Sequence, residues 1–326
     1  MPVATSKRIV EYITNNGQAS GKELTAQLKI ITPRAVRKQL KNLLEKGVLR
    51  KIGRPPKVYY LLATDKKTFD QNNVDQKTLR IINNLYLFIS PVGEAKYGWE
   101  GFIAWCEKTK QDPVKTAKEY IATVKRFDRF RKNNLIDGMP KMKNTFNDVF
   151  LDKLFYLDFY SIERFGKTKL GQMLLYAKQS QNTLLIRELI NQIRPQIIKV
   201  ISVNKIDGVL FIPPTVKREV QFMKILEEQL RLSLRSLSVT KVKTEIIVPQ
   251  KTLSKLEDRI ENAKQTIIVD DVKQYKNILL IDDAVGSGAT LNETAKQVRN
   301  KKLADGKIIG LAITGSFKGF DVISEV

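Results

Sequence analysis

The 326-residue chain contains no histidine and a single cysteine, Cys106. Without histidine, the chain alone cannot form a Ser-His-Asp triad, a Cys-His pair or a His-ligated metal site. One cysteine also excludes an internal disulfide framework and a zinc site of several thiolates. No apolar run approaches the ~20 residues that a membrane span needs, and no signal-peptide pattern opens the chain. These absences predict a cytoplasmic protein without a membrane partner, whose chemistry uses carboxylates, Lys and Arg, hydroxyls, backbone amides or a metal brought by a substrate.

Acidic residues are few compared with basic ones. The chain has 57 Lys or Arg and 34 Asp or Glu, a net charge of +23, and such an excess favours polyanionic partners. The alternative is an ordinary soluble surface that is rich in lysine. The excess is densest at the N-terminus, where residues 1–62 carry 13 basic and 3 acidic side chains. This concentration favours a polyanion-binding segment over a general surface property.

Residues 1–62 have the pattern of three helices followed by a hairpin. A first amphipathic helix is predicted over Ser6–Asn15, and a capping-box pattern from Ser20 to Glu23 opens the second. Thr32-Pro33 opens the third, with proline at the first helical position, and Gly47 ends it. Two extended runs, 48–52 and 58–62, follow it and are joined by a basic segment that contains two prolines.

The third helix separates apolar from basic side chains. Val36, Leu40, Leu43 and Leu44 fall on one face, and the other face is basic at spacings of three and four. Helix, helix, basic helix and hairpin is the order of winged helix-turn-helix domains, which this segment resembles along its whole length. The resemblance implies that the third helix enters the DNA major groove and that the hairpin is the wing.

Arg54, held between Gly53 and the two prolines, suits a narrow minor groove, and the Gly-Arg-Pro string is similar to a minimal AT-hook. The residues expected to bind DNA are Arg34, Arg37, Lys38, Lys41, Arg54 and Lys57. Two alternatives remain: a winged helix used for protein contacts, and a basic solvated face on a small helical bundle.

Residues 63–150 carry no catalytic motif. Residues 63–76 are polar and charged and are predicted to form a linker. Residues 77–150 are predicted to be a helical segment of unknown role, because their apolar residues recur at helical spacing. Trp99, Phe102 and Trp105 could stack nucleic-acid bases, but aromatic residues at helical spacing are more often core, and we predict core.

Residues 151–326 alternate predicted strands with predicted helices. The strands are Gly208–Ile212, Thr244–Val248, Asn277–Ile281 and Lys307–Thr314; the helices are Leu174–Ile198, Val216–Leu237 and Thr290–Asn300. This alternation predicts an α/β fold in which a parallel sheet has helices on both faces. Ligands of such sheets bind at the carboxyl ends of the strands.

The candidate ligand-binding residues follow one of those strands. Four apolar residues, Ile278–Ile281, precede Asp282 and Asp283. Carboxylates accept hydrogen bonds and repel phosphate, so they suit vicinal hydroxyls such as the 2′ and 3′ groups of ribose. Residues 286–290, Gly-Ser-Gly-Ala-Thr, then provide a loop whose amides can face an anion at the start of a helix. Acids followed by an amide nest match the dimensions of ribose 5-phosphate.

Two common phosphate-binding motifs match this string less well. A P-loop needs Lys and then Ser or Thr after its second glycine, where Ala289 stands, and a dinucleotide loop needs a third glycine where Leu291 stands. A purely structural alternative is that the two acids cap a turn while Thr290 and Glu293 form an ordinary capping box. That alternative does not account for the doubled acid and the doubled glycine.

The string closely resembles the 5-phosphoribosyl-1-pyrophosphate (PRPP) signature of type I phosphoribosyltransferases, with Gly286 where the first hydroxyl residue is usual. The resemblance implies that Asp282 and Asp283, the expected catalytic residues, hold the ribose hydroxyls, and that the loop holds the 5′-phosphate. The expected PRPP-binding residues are Asp282, Asp283, Ala284, Val285, Gly286, Ser287, Gly288, Ala289 and Thr290. Mg²⁺ is expected to arrive with PRPP, and the protein is expected to have no metal site of its own.

More of residues 151–326 is similar to the competence-protein-F-like branch of that family. Residues 211–214, Phe-Ile-Pro-Pro, stand where that branch turns its pyrophosphate loop, and Lys217 and Arg218 are therefore expected on the pyrophosphate side. Residues 251–262 resemble its mobile hood, from which Arg259 is expected to stabilise the leaving charge, and the helix around Lys178 resembles its upstream segment. The cysteine-rich zinc module usual at that family's N-terminus is absent.

The two segments together predict a DNA-binding regulator whose C-terminal domain senses PRPP or a nucleotide. Purine repressors that join a winged helix to a phosphoribosyltransferase-like domain are an analogy for this arrangement. The alternative is an active phosphoribosyltransferase tethered to nucleic acid, in base salvage, DNA uptake or defence. Winged-helix operators are often two-fold, which makes a homodimer plausible.

Overall fold

The structure is a computed structural model that describes residues 5–28, 32–63, 74–216, 218–242, 245–246 and 248–316. The side chains of Arg54 and Lys251 lie outside the described part of the chain. The chain divides into two compact units, Met1–Asp70 and Gln71–Val326, and the division falls within the predicted linker. No helix in the described ranges is long and apolar enough to cross a membrane.

The small unit contains the three helices and the hairpin that the sequence predicts. Its elements are α1 (Thr5–Asn16), β1 (Ala19–Ser20), α2 (Gly21–Gln27), α3 (Pro33–Glu45), β2 (Leu49–Arg54) and β3 (Lys57–Leu62). The predicted capping box is confirmed, because Ser20 Oγ accepts from the Glu23 backbone N–H at 3.1 Å while a Glu23 carboxylate oxygen accepts from the Ser20 N–H at 3.3 Å. Thr32 caps α3, with Pro33 at its first helical position.

Each helix of the small unit contributes apolar side chains to one core. Ile9 and Ile13 of α1, Leu24 of α2 and Leu40 of α3 are almost completely buried there. The two residues of β1, which were not predicted from the sequence, pair with β3 and give the sheet order β1-β3-β2. A strand of two residues is too short to show an alternating pattern.

The larger unit is an α/β fold. Its helices are α4 (Gln76–Leu85), α5 (Gly98–Lys108), α6 (Pro113–Asp128), α7 (Met139–Thr145), α8 (Lys169–Ser180), α9 (Thr183–Val203), α10 (Phe222–Leu230), α11 (Leu256–Thr266) and α12 (Ala289–Asn300). Its strands are β4 (Leu87–Ile89), β5 (Ala95–Tyr97), β6 (Arg131–Lys132), β7 (Leu135–Asp137), β8 (Lys153–Phe159), β9 (Gly208–Phe211), β10 (Arg235–Ser236), β11 (Val239–Lys241), β12 (Ile267–Val269), β13 (Ile278–Val285) and β14 (Ile308–Gly315).

A seven-stranded sheet organises this unit, in the order β10-β9-β13-β14-β8-β7-β6. The five strands from β10 to β8 are parallel, and β7 and β6 are antiparallel to their neighbours. Side chains of β13 enter two cores: Ile278 and Leu280 pack on the side of α12, and Leu279 and Ile281 pack on the side of α8–α10. Burial on both faces explains why this strand is a continuous apolar run.

The predicted helical segment 77–150 needs correction. It contains β4 to β7 as well as helices, and β7 pairs with β8 through Ile136↔Tyr156 and Asp137↔Phe155. Residues 131–137 therefore extend the sheet, and no division between compact units falls near residue 150. Strands of two and three residues have no period that can be detected in the sequence.

Three further elements differ from their predictions. The stretch Leu174–Ile198 is two helices, because Gln181 adopts a left-handed conformation and Asn182 caps α9. The predicted helix Val216–Leu237 is shorter, as α10, and β8 was not predicted. Residues 245, 246 and 248 are not in a strand, while Thr244 and residue 247 lie outside the described residues.

Candidate functional sites

The first site lies at the carboxyl end of β13, where the strand runs between β9 and β14. Asp282 and Asp283 lie near the end of this strand, residues 286–288 form a bend, and α12 begins at Ala289. All of these residues line one cleft of about 210 Å³. The structure therefore brings the two predicted acids and the predicted glycine turn to the same opening.

The turn is shaped by Gly288. This residue has φ +90° and stands at the N-cap of α12 without a side-chain cap. A Cβ added at this position would lie 2.4 Å from Met142 Sδ. A left-handed backbone and a close neighbour both require glycine here. Thr290 lies inside the helix, so the alternative capping box of Thr290 with Glu293 is not formed.

The turn leaves backbone amides without partners. Ala289 N–H donates to Ser287 Oγ at 3.3 Å. Among the described residues, the N–H groups of residues 286–288 and 290 have no hydrogen-bond acceptor. Unpaired amides next to a helix N-terminus form a partial positive charge that suits an anion such as phosphate.

The two acids have different surroundings. Lys178 Nζ donates to Asp283 Oδ2 at 2.6 Å, and the Asp283 backbone N–H donates to Asp282 Oδ1 at 2.7 Å. Burial, and secondarily the charge of Asp283, raise the pKa of Asp282 to about 7, although Lys178 and Lys241 oppose this shift. Burial lowers the pKa of Lys241, and the charge of Asp282 opposes that shift. The carboxyl of Asp282 therefore keeps its proton to a higher pH than an ordinary aspartate does.

Two of the predicted pyrophosphate-side residues also line this cleft. Arg218 donates from Nη1 to the backbone oxygen of Lys178. Arg259 is only 9% exposed, donates from Nε to the Leu253 oxygen at 2.7 Å, and has its pKa lowered by burial. Lys217 lies outside the described residues. The cleft thus receives guanidinium groups from two separate segments of the chain.

Lys178, Lys241 and Gln250 also line this cleft and were not assigned to it from the sequence. Lys178 is a basic residue in the last turn of a largely buried helix. A charged residue in an otherwise mainly apolar helix could have suggested a site residue from the sequence. Lys241 ends a three-residue strand and approaches Asp282 only in the folded chain. Gln250 lines the cleft and donates from Nε2 to the Arg259 oxygen at 2.9 Å. No local pattern marks either of the last two residues.

Residues 139–150 support the glycine turn from behind. Met142 packs against Gly288, and Asn292 of α12 donates from Nδ2 to the Asp148 oxygen at 2.9 Å. The Asn292 side-chain oxygen accepts from the Phe150 N–H at 2.9 Å. This segment, which has no role that its sequence reveals, therefore holds the start of α12 in place.

The second site is the basic face of α3 in the small unit. Val36, Leu40 and Leu43 are buried on one side of the helix. The predicted DNA-binding residues on its other side are exposed, and they are Arg34, Arg37, Lys38 and Lys41. Lys57 is exposed at the start of β3, whereas Arg54 ends β2 and its side chain is not among those described.

No protein-family model matches the chain, and no curated protein matches it. Within the described residues, no group of three or more His, Cys, Asp or Glu side chains could hold a metal ion. A function for the chain is therefore inferred from its own two sites.

Proposed function

We propose that the chain is a DNA-binding regulator whose larger unit binds PRPP or a nucleotide. The observation that carries this proposal is that Asp282, Asp283 and the unpaired amides of residues 286–288 and 290 line one cleft. The acids supply acceptors for the ribose hydroxyls, and the amides supply donors for the 5′-phosphate. The acids and the amides are close together in the chain, just as the ribose hydroxyls and the 5′-phosphate are close together in ribose 5-phosphate.

The charges around the cleft favour a ligand with a second anionic group. Lys178, Arg218, Lys241 and Arg259 line it along with the two acids. Because Lys178 is bound to Asp283, Arg218, Lys241 and Arg259 are the cations of the cleft that we expect to contact a pyrophosphate beyond the 5′-phosphate. Mg²⁺ would enter as part of the Mg–PRPP substrate and neutralise part of its charge, so the protein needs no metal site of its own.

For the small unit we propose a winged helix-turn-helix domain that binds DNA. The exposed cations of α3 suit phosphate and base contacts in a major groove, and in this proposal the hairpin β2–β3 serves as the wing. PRPP would regulate DNA binding only through a difference in its affinity for the DNA-bound and free forms.

One observation favours the second candidate, an active phosphoribosyltransferase. Asp282, with a pKa of about 7, can accept a proton at neutral pH. In that reaction the C1–pyrophosphate bond breaks, a base nitrogen bonds to C1, and the proton on that nitrogen passes to Asp282. Arg218 and Arg259 would stabilise the departing pyrophosphate.

Titration calorimetry of the full chain with PRPP and Mg²⁺ tests the shared proposal. The double variant Asp282→Asn, Asp283→Asn should weaken PRPP binding by about a hundredfold or more, because it removes two charged acceptors. A matched control, Asp270→Asn with Asp305→Asn, neutralises two exposed carboxylates and should bind PRPP as the wild type does. Equal affinity in the two double variants would contradict the site.

Two measurements separate regulator from enzyme. A regulator should show DNA retardation that changes with PRPP, and pyrophosphate release from PRPP no faster than in the Asp282→Asn, Asp283→Asn variant. An enzyme should release pyrophosphate above that background with at least one of the common nucleobases. If the addition of PRPP does not change DNA retardation, the regulatory proposal is wrong.

A further inference from the structure

The end of helix α8 lies against a loop that carries Arg218. At Gln181 the backbone is left-handed, with φ +52° and ψ 27°, and this residue separates α8 from the cap of α9. The loop consists of residues 213–221, which lie between β9 and α10, and we call it the Arg218 loop. Most of its residues line the cleft at β13, whereas Gln181 does not line that cleft. Gln181 therefore lies outside the cleft and contacts one of its walls.

Three hydrogen bonds hold the Arg218 loop in place. Gln181 Oε1 accepts from the Val220 backbone N–H at 2.7 Å. Arg218 donates from Nη1 to the Lys178 backbone oxygen. The Gln221 side chain donates from Nε2 to the Arg218 backbone oxygen at 2.8 Å. Together these bonds fix the backbone of the loop and the direction of the Arg218 guanidinium group.

The positive charge of Arg218 remains available to a ligand. In the described part of the chain no carboxylate forms an ion pair with Arg218, whereas Lys178 Nζ lies 2.6 Å from Asp283 Oδ2. A guanidinium group has five N–H donors, and the Lys178 oxygen uses one of them. An arginine that is held at a cleft with its charge uncompensated suits a contact with phosphate oxygens.

The backbone conformation of Gln181 does not by itself explain this residue. A left-handed backbone favours glycine or asparagine, yet Arg231 and Lys302 also adopt it at the ends of other helices. Within the described residues, the side chains of those two make no hydrogen bond. The side chain of Gln181 differs because it bonds a backbone group of the loop that lines the cleft.

We propose that Gln181 is a positioning residue that holds Arg218 in place for contact with a pyrophosphate group. The inference rests on the proposed PRPP binding and extends it to a residue outside the cleft. Without the Oε1 acceptor, the Arg218 loop must be ordered when the ligand binds, which lowers affinity. The groups expected to bind ribose and its 5′-phosphate lie on β13 and the glycine turn, so a ligand without pyrophosphate should not be affected.

Calorimetric titration of the full chain with PRPP, and separately with ribose 5-phosphate, tests this proposal in the presence of Mg²⁺. Gln181→Met keeps the length of the side chain but removes the acceptor. It should weaken PRPP binding about fivefold to tenfold and leave ribose 5-phosphate binding unchanged. Arg218→Gln should weaken PRPP binding about tenfold or more. Adding Gln181→Met to Arg218→Gln should cause no further loss, because Gln181 acts through Arg218.

Two glycine variants separate binding from folding. Gln181→Gly removes the side chain but suits the left-handed backbone, and it should weaken PRPP binding as Gln181→Met does. The matched control is Lys302→Gly, because Lys302 has φ +54°, is exposed and does not line the cleft; it should bind PRPP as the wild type does. Thermal unfolding should place each single Gln181 variant within about 4 °C of the wild type.

The outcomes distinguish this inference from the proposed function. If the wild type binds neither PRPP nor ribose 5-phosphate, the proposed function is wrong, and the role of Gln181 is wrong with it. If the wild type binds PRPP but both Gln181 variants bind it equally well, only the role of Gln181 is overturned. The same holds if the variants lose affinity for ribose 5-phosphate as much as for PRPP, or if the losses from Gln181→Met and Arg218→Gln add.

Discussion

The basic face of α3 and the cleft at β13 both gather positive charge, but they do so by different means. On α3, the cations Arg34, Arg37, Lys38 and Lys41 are exposed and belong to one helix. In the cleft, Lys178, Arg218 and Arg259 come from different segments, are wholly or partly buried, and contact a carboxylate or a backbone oxygen. The first arrangement suits attraction of a polyanion in general, whereas the second suits fixed contacts with a particular ligand.

This difference predicts how each region responds to substitution. Exposed charges act nearly additively and are screened by salt. Buried groups that share partners act as a unit, so the loss of one changes the others. Substitutions at the glycine turn, on α3 and at Asp282 test that contrast.

The largest effect is expected at the glycine turn. Gly288→Ala should lower the free energy of unfolding by about 2–4 kcal/mol, because it combines φ +90° with a clash against Met142. Gly93→Ala is the matched control: it also has a positive φ, +81°, but no atom lies within 4 Å of its added Cβ, and it should cost about 1 kcal/mol. Urea unfolding measures both. Equal losses would show that the Met142 contact does not shape the turn.

A smaller effect is expected on α3. Arg37→Gln with Lys38→Gln should weaken DNA binding about tenfold to a hundredfold and reduce the slope of log K against log salt by about 2, because two phosphate contacts are lost. Retardation assays at several salt concentrations measure both quantities. Lys7→Gln with Lys22→Gln removes the same charge from exposed positions on α1 and α2. If this control weakens binding equally, net charge rather than the α3 face governs affinity.

The smallest effect concerns the proton on Asp282. Because its pKa is raised to about 7 in the folded chain, the folded protein binds more protons than the unfolded chain between about pH 4 and pH 7. The stability that this residue contributes is thus present below about pH 4 and is lost as the pH rises through about 7. Asp282→Asn should therefore gain on the order of 1 kcal/mol relative to the wild type between about pH 5 and pH 8.

Urea unfolding at several pH values measures this gain. Lys178→Met should move the transition to higher pH, because Lys178 lowers the pKa of Asp282. A stability difference between Asp282→Asn and the wild type that stays constant over that pH range would contradict the buried, shared environment of the two acids.

The features that could be predicted well are contiguous in the chain. The capping box at Ser20 and the proline start of α3 depend on residues within four positions of each other, so local chemistry determines them. The acids and the glycine turn of the cleft likewise lie within one short string. Its strand is an apolar run that only a sheet buried on both faces explains.

The features that could not be predicted are assembled from distant segments. Lys178 contacts Asp283 from a position 105 residues earlier in the chain, and Lys241 approaches Asp282 from a short strand outside the main sheet. From the sequence alone, Tyr120 resembles an ordinary core residue of a helix, and Gln196 resembles an ordinary surface residue of a helix. Only packing shows that both line one cavity.

Because the antiparallel strands β6 and β7 belong to the main sheet, the larger unit cannot be divided near residue 150, although its sequence predicts a boundary there. A fragment that starts at Leu151 would expose the unpaired edge of β8 and remove the side chain that presses on Gly288. An exposed edge strand has unpaired backbone N–H and C=O groups, which can form hydrogen bonds with a strand of another chain. Such a fragment would therefore aggregate, whereas one that starts near Val74 keeps the whole seven-stranded sheet and the cleft at β13.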